Sequence, residues 1–119
     1  MGEFRDLNVY KKGLDMVKEV YAISKKFPKE EMFGLTNQFR RAATSIVLNI
    51  AEGSGCESPK EFSKFLYYAL RSKHEAVACL DITEQLGYIS EDESDKLKKE
   101  LEEISSMIVG LSRSLRRTE

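Results

Sequence analysis

The stretch from Ser90 to Arg117, which reads SEDESDKLKKELEEISSMIVGLSRSLRR, decides the fold. Its large apolar residues alternate at spacings of four and three, the heptad pattern of a helix that packs along one seam against other helices. These residues are Leu97, Leu101, Ile104, Ile108, Leu111 and Leu115. Ser90 and Glu93 form a capping-box motif at the start, and arginines in the last turn suit the negative end of the helix dipole. The stretch therefore predicts an amphipathic helix that needs helical partners.

The segment before this helix predicts a second long helix. Ser58 can cap its N-terminus, Pro59 suits its first position, and Glu61 can complete a capping box. Gly87 is expected to end it. Its predicted buried face recurs at helical spacing and consists of Phe62, Phe65, Leu66, Ala69, Ser72, Ala76, Leu80, Thr83 and Leu86.

A further helix is predicted from Leu35 to Glu52. Gly53 to Gly55 should stop this helix, because a glycine can adopt the left-handed conformation at a helix end. Its apolar stripe consists of Leu35, Phe39, Ala42, Ala43, Ile46 and Ile50.

The first helix is predicted from Asn8, a suitable N-cap, to Phe27. Pro28 ends it, because the residue before a proline is disfavoured in the helical region. Its predicted core face consists of Val9, Gly13, Leu14, Val17, Tyr21, Ser24 and Phe27.

Four amphipathic helices with short connections predict an all-α fold, an antiparallel up-down-up-down four-helix bundle. Residues 1–119 form a single domain in this prediction, because 119 residues are about one domain and can bury one core. The chain has only two prolines. This scarcity suits long helices, since a proline inside a helix costs about 3 kcal/mol.

Composition and charge limit the possible functions. Charged residues make up 33% and hydrophobic residues 41% of the chain, as in soluble globular domains. The net charge is −1 and the pI is 6.0, whereas dedicated nucleic-acid-binding domains usually have a pI above about 9. Any contact with RNA therefore needs a local basic patch.

The sequence predicts a cytoplasmic protein. Cys56 and Cys79 match no zinc or redox spacing, so they are expected to be free thiols in a reducing compartment. The first residues lack the apolar stretch of a signal peptide, and no apolar run approaches the length of about 18 residues that a membrane span needs.

Nothing in the sequence predicts an enzyme, a cofactor or a metal site. A di-iron site in a four-helix bundle needs Glu-x-x-His pairs, but His74 is the only histidine and Arg71 stands three positions before it. Any Ser-His-Asp or Cys-His arrangement would need the same histidine. The glycine-rich stretch around Ser54 is too short for a phosphate loop and follows a helix instead of a strand.

The two central helices carry more apolar residues than one buried stripe requires. These candidates for an oligomer interface are Val47, Leu48, Ala51, Leu70 and Val77. A wide apolar surface suggests self-association. The alternative is that the central helices of a small bundle are simply more buried.

Three basic stripes are candidate nucleic-acid-binding surfaces, because cations bind phosphates and an exposed aromatic ring can stack on a base. The first comprises Lys60, Lys64, Tyr67, Arg71 and His74, the second Lys11, Lys18 and Lys25, and the third Arg116 and Arg117. A solvated helix face without a ligand would give the same pattern.

Polar residues on the apolar sides of the central helices are candidates for a structural network. Asn49 and Glu52 lie on one helix and Glu75 on the next. A carboxylate there could pair with Arg40 or Arg41 and fix the register of the two helices. Whether Glu52 and Glu75 are structural or functional stays open.

One long motif resembles a known family. It reads FPKEEMFGLTNQFRRAA over residues 27–43 and continues through Ser45-Ile46 to residues 49–53, NIAEG. This motif closely resembles that of the four-helix bundle family encoded in the intervening sequences of bacterial 23S ribosomal RNA genes, also called the S23 ribosomal protein family. Residues 4–12, 69–75 and 86–89 resemble the same family, so the resemblance covers nearly the whole chain.

The resemblance implies a bundle that assembles into a homopentameric ring, without an established enzymatic activity. A related accessory protein of diversity-generating retroelements, associated with reverse transcriptase and nucleic acid, is similar in fold. Two functions therefore stay open. The first is a non-enzymatic oligomeric adaptor that binds RNA through its basic stripes. The second is a protein-only scaffold, such as a reverse transcriptase partner, without direct RNA affinity.

Overall fold

The computed structural model describes residues 3–117. Four long helices follow one another as α1 (Asn8–Ser24), α2 (Leu35–Ser54), α3 (Pro59–Gln85) and α4 (Glu91–Arg116). Short 3-10 helices, Phe4–Asp6 and Lys29–Glu31, precede α1 and α2. The described residues contain no strand. None of their helices is both long enough and apolar enough to span a bilayer.

Contacts between side chains show that neighbouring helices are antiparallel. Between α1 and α2, contacts join Ser24 to Arg40 and Gly13 to Val47. Between α2 and α3, they join Ser45 to Ser72 and Gly53 to Phe62, and between α3 and α4, Lys73 to Glu102 and Asp81 to Lys98. Lys12 of α1 contacts Glu103 of α4, and Lys26, just after α1, contacts Glu93 near the start of α4. Each helix thus contacts two neighbours. The predicted up-down-up-down bundle is confirmed, with a longest dimension of 47 Å.

The predicted seam of α4 forms one wall of the core. Leu97, Leu101, Ile104 and Ile108 are buried, while Leu111 and Leu115 are partly buried against the same cluster. The capping box predicted at Ser90 is present, with Ser90 Oγ accepting from the Glu93 amide at 3.0 Å and a Glu93 carboxylate oxygen accepting from the Ser90 amide. Ser58 caps α3 through the Glu61 amide at 3.1 Å.

The predicted core face of α1 is partly wrong. Leu14 and Tyr21 are 47% and 40% exposed, whereas Met16 and Val20 are buried. The buried line runs through Gly13, where α2 comes so close that a Cβ atom would lie 2.9 Å from Val47 Cγ2. This close approach turns Met16 and Val20 inward and leaves Leu14 and Tyr21 at the outer edge.

Both ends of α1 differ from the prediction. Leu7 occupies the N-cap position without a side-chain cap, and Asn8 is the first helical residue. The helix ends at Ser24, before Phe27. Phe27 leaves the helix but stays in the core, because its ring packs 6.0 Å from that of Phe39 and 5.9 Å from that of Tyr88.

The glycines after Glu52 do not stop α2 in the predicted way. The helix continues through Gly53 to Ser54, and Gly55 at its C-cap has a right-handed φ of −85°. Gly53 is instead a packing residue, since a Cβ there would lie 2.8 Å from Phe62 Cδ1 and from Phe65 Cβ. Among the described residues, only Gly87, after α3, has a positive φ.

Candidate nucleic-acid interface

The stripe predicted on α3 lies on one exposed face of that helix. We call Lys60, Lys64, Tyr67, Arg71 and His74 the α3 stripe; all five side chains belong to exposed residues. They point outward because the buried residues of α3 occupy the opposite side of the helix. At a rise of about 1.5 Å per residue, the stripe extends over roughly 20 Å. A surface of this length can contact several phosphates of one nucleic-acid strand.

The cations of the α3 stripe have no ion pair within 4.0 Å in the described part of the chain. Other lysines are neutralised across helix boundaries at α4: Lys12 contacts Glu103 at 2.8 Å, Lys73 contacts Glu102 at 2.7 Å, Lys98 contacts Asp81 at 2.6 Å, and Lys26 contacts Glu93. These four lysines are therefore occupied, whereas the cations of the α3 stripe are available to a ligand.

The three predicted stripes do not form one continuous surface. Lys11, Lys18 and Lys25 are exposed on α1, which lies diagonally opposite α3 and makes no close contact with it. Arg116 and Arg117 are exposed at the end of α4. Because α3 and α4 are antiparallel, the end of α4 lies at the same end of the bundle as Lys60. The tail could therefore extend the α3 stripe, and the α1 stripe cannot.

A polar groove separates α2 from α3 on the outside of the bundle. It consists of a cavity of about 500 Å³ and an adjoining one of about 340 Å³, which share Ser45, Ser72 and Glu75. The groove residues are Phe33, Gly34, Asn37, Gln38, Arg41, Ala42, Ser45, Asn49, Tyr68, Arg71, Ser72 and Glu75. Arg71 belongs to both the groove and the α3 stripe, so the two surfaces are continuous.

Hydrogen bonds fix the floor of this groove. Ser72 Oγ donates to Ser45 Oγ at 2.8 Å and so joins α3 to α2. Asn49 Nδ2 donates to the Ser45 carbonyl at 2.8 Å. Asn49, a member of the predicted polar network, therefore bonds within α2 and does not join α2 to α3 through this hydrogen bond.

The predicted pairing of carboxylates with Arg40 or Arg41 does not occur. Arg40 Nε donates to Ser24 Oγ at 2.8 Å, and its Cζ lies 4.6 Å from the centre of the Tyr21 ring, so Arg40 joins α2 to α1. Glu52 and Glu75 are both exposed. Neither Glu75 nor Arg41 has an ion pair within 4.0 Å in the described residues, although both border the groove.

The five apolar interface candidates have different environments. Val47 is only 6% exposed and belongs to the core, which corrects its assignment to a surplus surface. Its burial follows from the close approach of α1 at Gly13. Leu48 is 58% exposed. Ala51, Leu70 and Val77 are partly buried. Leu48 is therefore the candidate that a partner could cover most extensively.

Some residues of the groove are absent from the sequence-based predictions. Phe33 is 95% exposed and borders the larger cavity. Ser72 lies on the predicted buried face of α3. A hydroxyl among apolar residues indicates a polar contact, and this was the only sign of the groove in the sequence of α3. No comparable sign marked Phe33, because its exposure depends on how the loop before α2 folds.

The cysteines and acidic groups give no indication of a reactive centre. Both Cys56 and Cys79 are free thiols. Burial, assisted by the negative charge of Glu75, raises the pKa of Cys79 to about 11, so this thiol stays protonated. Burial also raises the pKa of Cys56. The described residues contain no cluster of His, Cys, Asp and Glu that could hold a metal ion.

Comparison with known proteins identifies the family. A family model described as 23S rRNA-intervening sequence protein matches residues 5–110. The chain belongs to the 23S rRNA-intervening sequence protein family. This result confirms the resemblance found in the sequence.

A solved structure of another family member has the same fold as this chain. A crystal structure of a protein with unknown function from the S23 ribosomal protein family of Bacteroides thetaiotaomicron VPI-5482 superposes with a TM-score of 0.81, over 87% of this chain and 97% of that chain. The two sequences are 23% identical, so this likeness shows a shared fold. No curated protein matches the chain.

Proposed function

We propose that this intervening sequence protein is a non-enzymatic, oligomeric adaptor in the cytoplasm that binds RNA through the α3 stripe. One observation carries the proposal. Lys60, Lys64 and Arg71 are exposed and have no ion pair in the described residues, whereas Lys12, Lys73 and Lys98 are paired with carboxylates. The α3 stripe therefore has cations whose only counterions come from solution.

Release of those counterions drives binding to a polyanion. Each phosphate that a cation neutralises contributes about 0.7 to the slope of log K against log salt for a single strand. Tyr67 lies between the cations of the stripe and is exposed. Stacking of a base on such a ring contributes about 1–3 kcal/mol. The free energy of RNA binding at the stripe thus has a salt-dependent contribution from the cations and a salt-independent contribution from base stacking.

Assembly strengthens this weak individual surface. A subunit with a net charge of −1 attracts RNA only locally. In an oligomer, for which the family resemblance implies a pentamer, the stripe is repeated and the second contact becomes intramolecular, which raises avidity by about 10²–10⁴. Leu48, 58% exposed at the outside of α2, is the apolar contact that we assign to subunit association.

Size-exclusion chromatography with light scattering tests the assembly. The chain has no tryptophan and five tyrosines, so its own absorbance is weak and co-purified nucleic acid is easily detected. We expect a mass of several subunits. A monomer would contradict the adaptor. An oligomer without affinity for any RNA at low salt would support the protein-only scaffold instead.

Fluorescence anisotropy with labelled RNA tests the stripe. Lys60→Glu plus Lys64→Glu should weaken binding at least about 10-fold and reduce the salt slope by roughly 1 to 2, because two phosphate contacts per subunit are lost. Lys11→Glu plus Lys18→Glu makes the same charge change on α1 and serves as the matched control. Equal losses in both variants would assign RNA binding to net charge instead of the α3 stripe.

A further inference from the structure

The α2–α3 groove has the size and position of a nucleotide pocket. Its larger cavity measures about 500 Å³, within the range of about 300–1,000 Å³ for small-molecule sites. Arg71 borders the adjoining cavity and also belongs to the α3 stripe. A strand that follows the stripe therefore passes the mouth of the groove.

Phe33 stands at the edge of this groove and is 95% exposed. Exposure of a whole phenyl ring to water is unfavourable, since burial of such a side chain contributes about 1.5–3 kcal/mol. Sequence-specific RNA binding uses exposed aromatic rings on which unpaired bases stack. Phe33 therefore suits a stacking platform for a base that enters the groove.

The charges of the groove suit a nucleotide as well. Arg41 and Arg71 border the two cavities and have no ion pair within 4.0 Å in the described residues. Glu75 supplies the one carboxylate among the groove residues and is also without an ion pair. Two cations and one anion leave the groove with a net positive charge, which attracts a phosphate. The carboxylate remains available for a hydrogen-bond donor of the base.

The carboxylate of Glu75 favours one base over the others. An ionised carboxylate offers two acceptor oxygens and no donor. Guanine alone presents two adjacent donors, N1–H and the N2 amino group, on its Watson–Crick edge. Adenine, cytosine and uracil place an acceptor beside each donor on that edge, and one carboxylate oxygen would face that acceptor. Glu75 is therefore matched to guanine.

We infer that the α2–α3 groove binds an unpaired guanine nucleotide, with the base stacked on Phe33, its Watson–Crick edge on Glu75 and its phosphate on Arg41 and Arg71. This inference rests on the proposed RNA-binding function and adds base identity to it. Base pairing hides the Watson–Crick edge, so the groove selects single-stranded RNA, whereas the α3 stripe also accepts a duplex.

Anisotropy titrations of the full-length chain test this inference. The probes are oligouridylates of equal length with one central guanosine, adenosine, cytidine or uridine, and a duplex of the same length. The guanosine probe should bind about 10-fold more tightly than the other single strands, because a good bidentate contact to a base discriminates by a factor of roughly 5 to 150.

Paired variants separate the groove from the rest of the surface. Glu75→Gln should remove the guanosine preference, while Glu52→Gln, an exposed carboxylate of α2 outside the groove, should retain it. Phe33→Ala should weaken binding of the guanosine probe about 10-fold and leave duplex binding unchanged. Met32→Ala, an exposed apolar neighbour, is its control. Circular dichroism checks that each variant is folded.

The outcomes distinguish the groove from the stripe. Equal affinity for all four single strands, or a guanosine preference that survives Glu75→Gln, would refute the guanine pocket. If those same probes still lost affinity in Lys60→Glu plus Lys64→Glu, the proposed RNA adaptor would stand without the pocket. No binding of any probe or duplex at low salt would refute both.

Discussion

Two glycine-to-alanine substitutions should change the stability of the bundle in opposite directions. Gly53 lies in α2 where α3 packs tightly against it, and a Cβ there would be 2.8 Å from Phe62 Cδ1 and from Phe65 Cβ. Gly110 lies in α4, and a Cβ there would meet nothing within 4 Å. The same chemical change therefore creates a clash in one helix and none in the other.

The structure allows the magnitudes to be worked out. Phe65 Cβ is attached to the α3 backbone, and Phe62 is buried, so neither atom can move away without a shift of α3. Overpacking of this kind costs about 1–3 kcal/mol. Alanine gains at most about 1 kcal/mol over glycine in a helix, and less at a helix end such as Gly53. We expect Gly53→Ala to lower the free energy of unfolding by about 1–2 kcal/mol, and Gly110→Ala to raise it by about 0.5–1 kcal/mol.

Urea unfolding monitored by circular dichroism measures both changes. Protein concentration must be equal in all samples, because self-association adds to the apparent stability. In thermal unfolding, we expect Tm to fall by roughly 4–10 °C for Gly53→Ala and to rise by roughly 2–5 °C for Gly110→Ala. A Gly53→Ala variant as stable as the parent would refute the close packing of α2 on α3. The register of the groove depends on that packing.

Two further predictions concern titratable groups. The hydrogen bonds from Lys26 and the Ser90 amide lower the pKa of Glu93, and the hydrogen bond from Lys12 lowers that of Glu103. A carboxyl with a lower pKa in the folded state contributes stability above its unfolded pKa of about 4.3, and this stability is lost as pH falls through the folded pKa. Thermal unfolding should therefore shift to lower temperature between about pH 5 and about pH 3, and Glu93→Gln plus Glu103→Gln should flatten this dependence. A double variant with the parent's pH profile would show that these ion pairs contribute nothing to the stability of the fold. The control is Glu57→Gln, which removes a carboxylate from an exposed loop. For the thiols, burial raises the pKa of Cys79 to about 11, so an alkylating reagent at about pH 8 should modify Cys79 only after unfolding. Mass spectrometry of Cys56→Ser checks this, and rapid modification of the folded variant would contradict the burial of Cys79.

The sequence predicted best those elements whose local signals agree with their packing. In α4, the heptad spacing and the capping box at Ser90 lead to the same helix, and the structure confirms both. In α1, two neighbouring apolar lines compete, one through Leu14 and Tyr21 and one through Met16 and Val20. Helical spacing alone cannot choose between them. The choice depends on Gly13, where contact with Val47 sets the distance between helices.

The candidate site was less predictable because it depends on contacts between helices. The exposure of the α3 stripe followed from its spacing along one helix. The α2–α3 groove instead needs the register that places Ser45 against Ser72, which are 27 positions apart. The sequence allowed a carboxylate of Glu52 or Glu75 to pair with Arg40 or Arg41 and fix the register of the two helices. Arg40 turns to Ser24 of α1 instead, and Glu75 remains available at the groove.

The acidic pI of the chain is compatible with RNA binding because several of its carboxylates are paired with lysines outside the α3 stripe. Acidic residues of α4, such as Glu102 and Glu103, pair with lysines of α3 and α1. The groove and the α3 stripe lie away from that helix's core-facing seam and carry unpaired arginines. A polyanion is thus attracted to these unpaired cations despite the net charge of −1, and their position orients it. In a symmetric ring, every α3 stripe has the same orientation relative to the symmetry axis. One RNA could therefore contact several subunits only if all the stripes lie on the same side of the ring or line its central opening. That requirement makes the position of α3 in the assembly, rather than the net charge, the property that decides whether the proposed adaptor can bind RNA cooperatively.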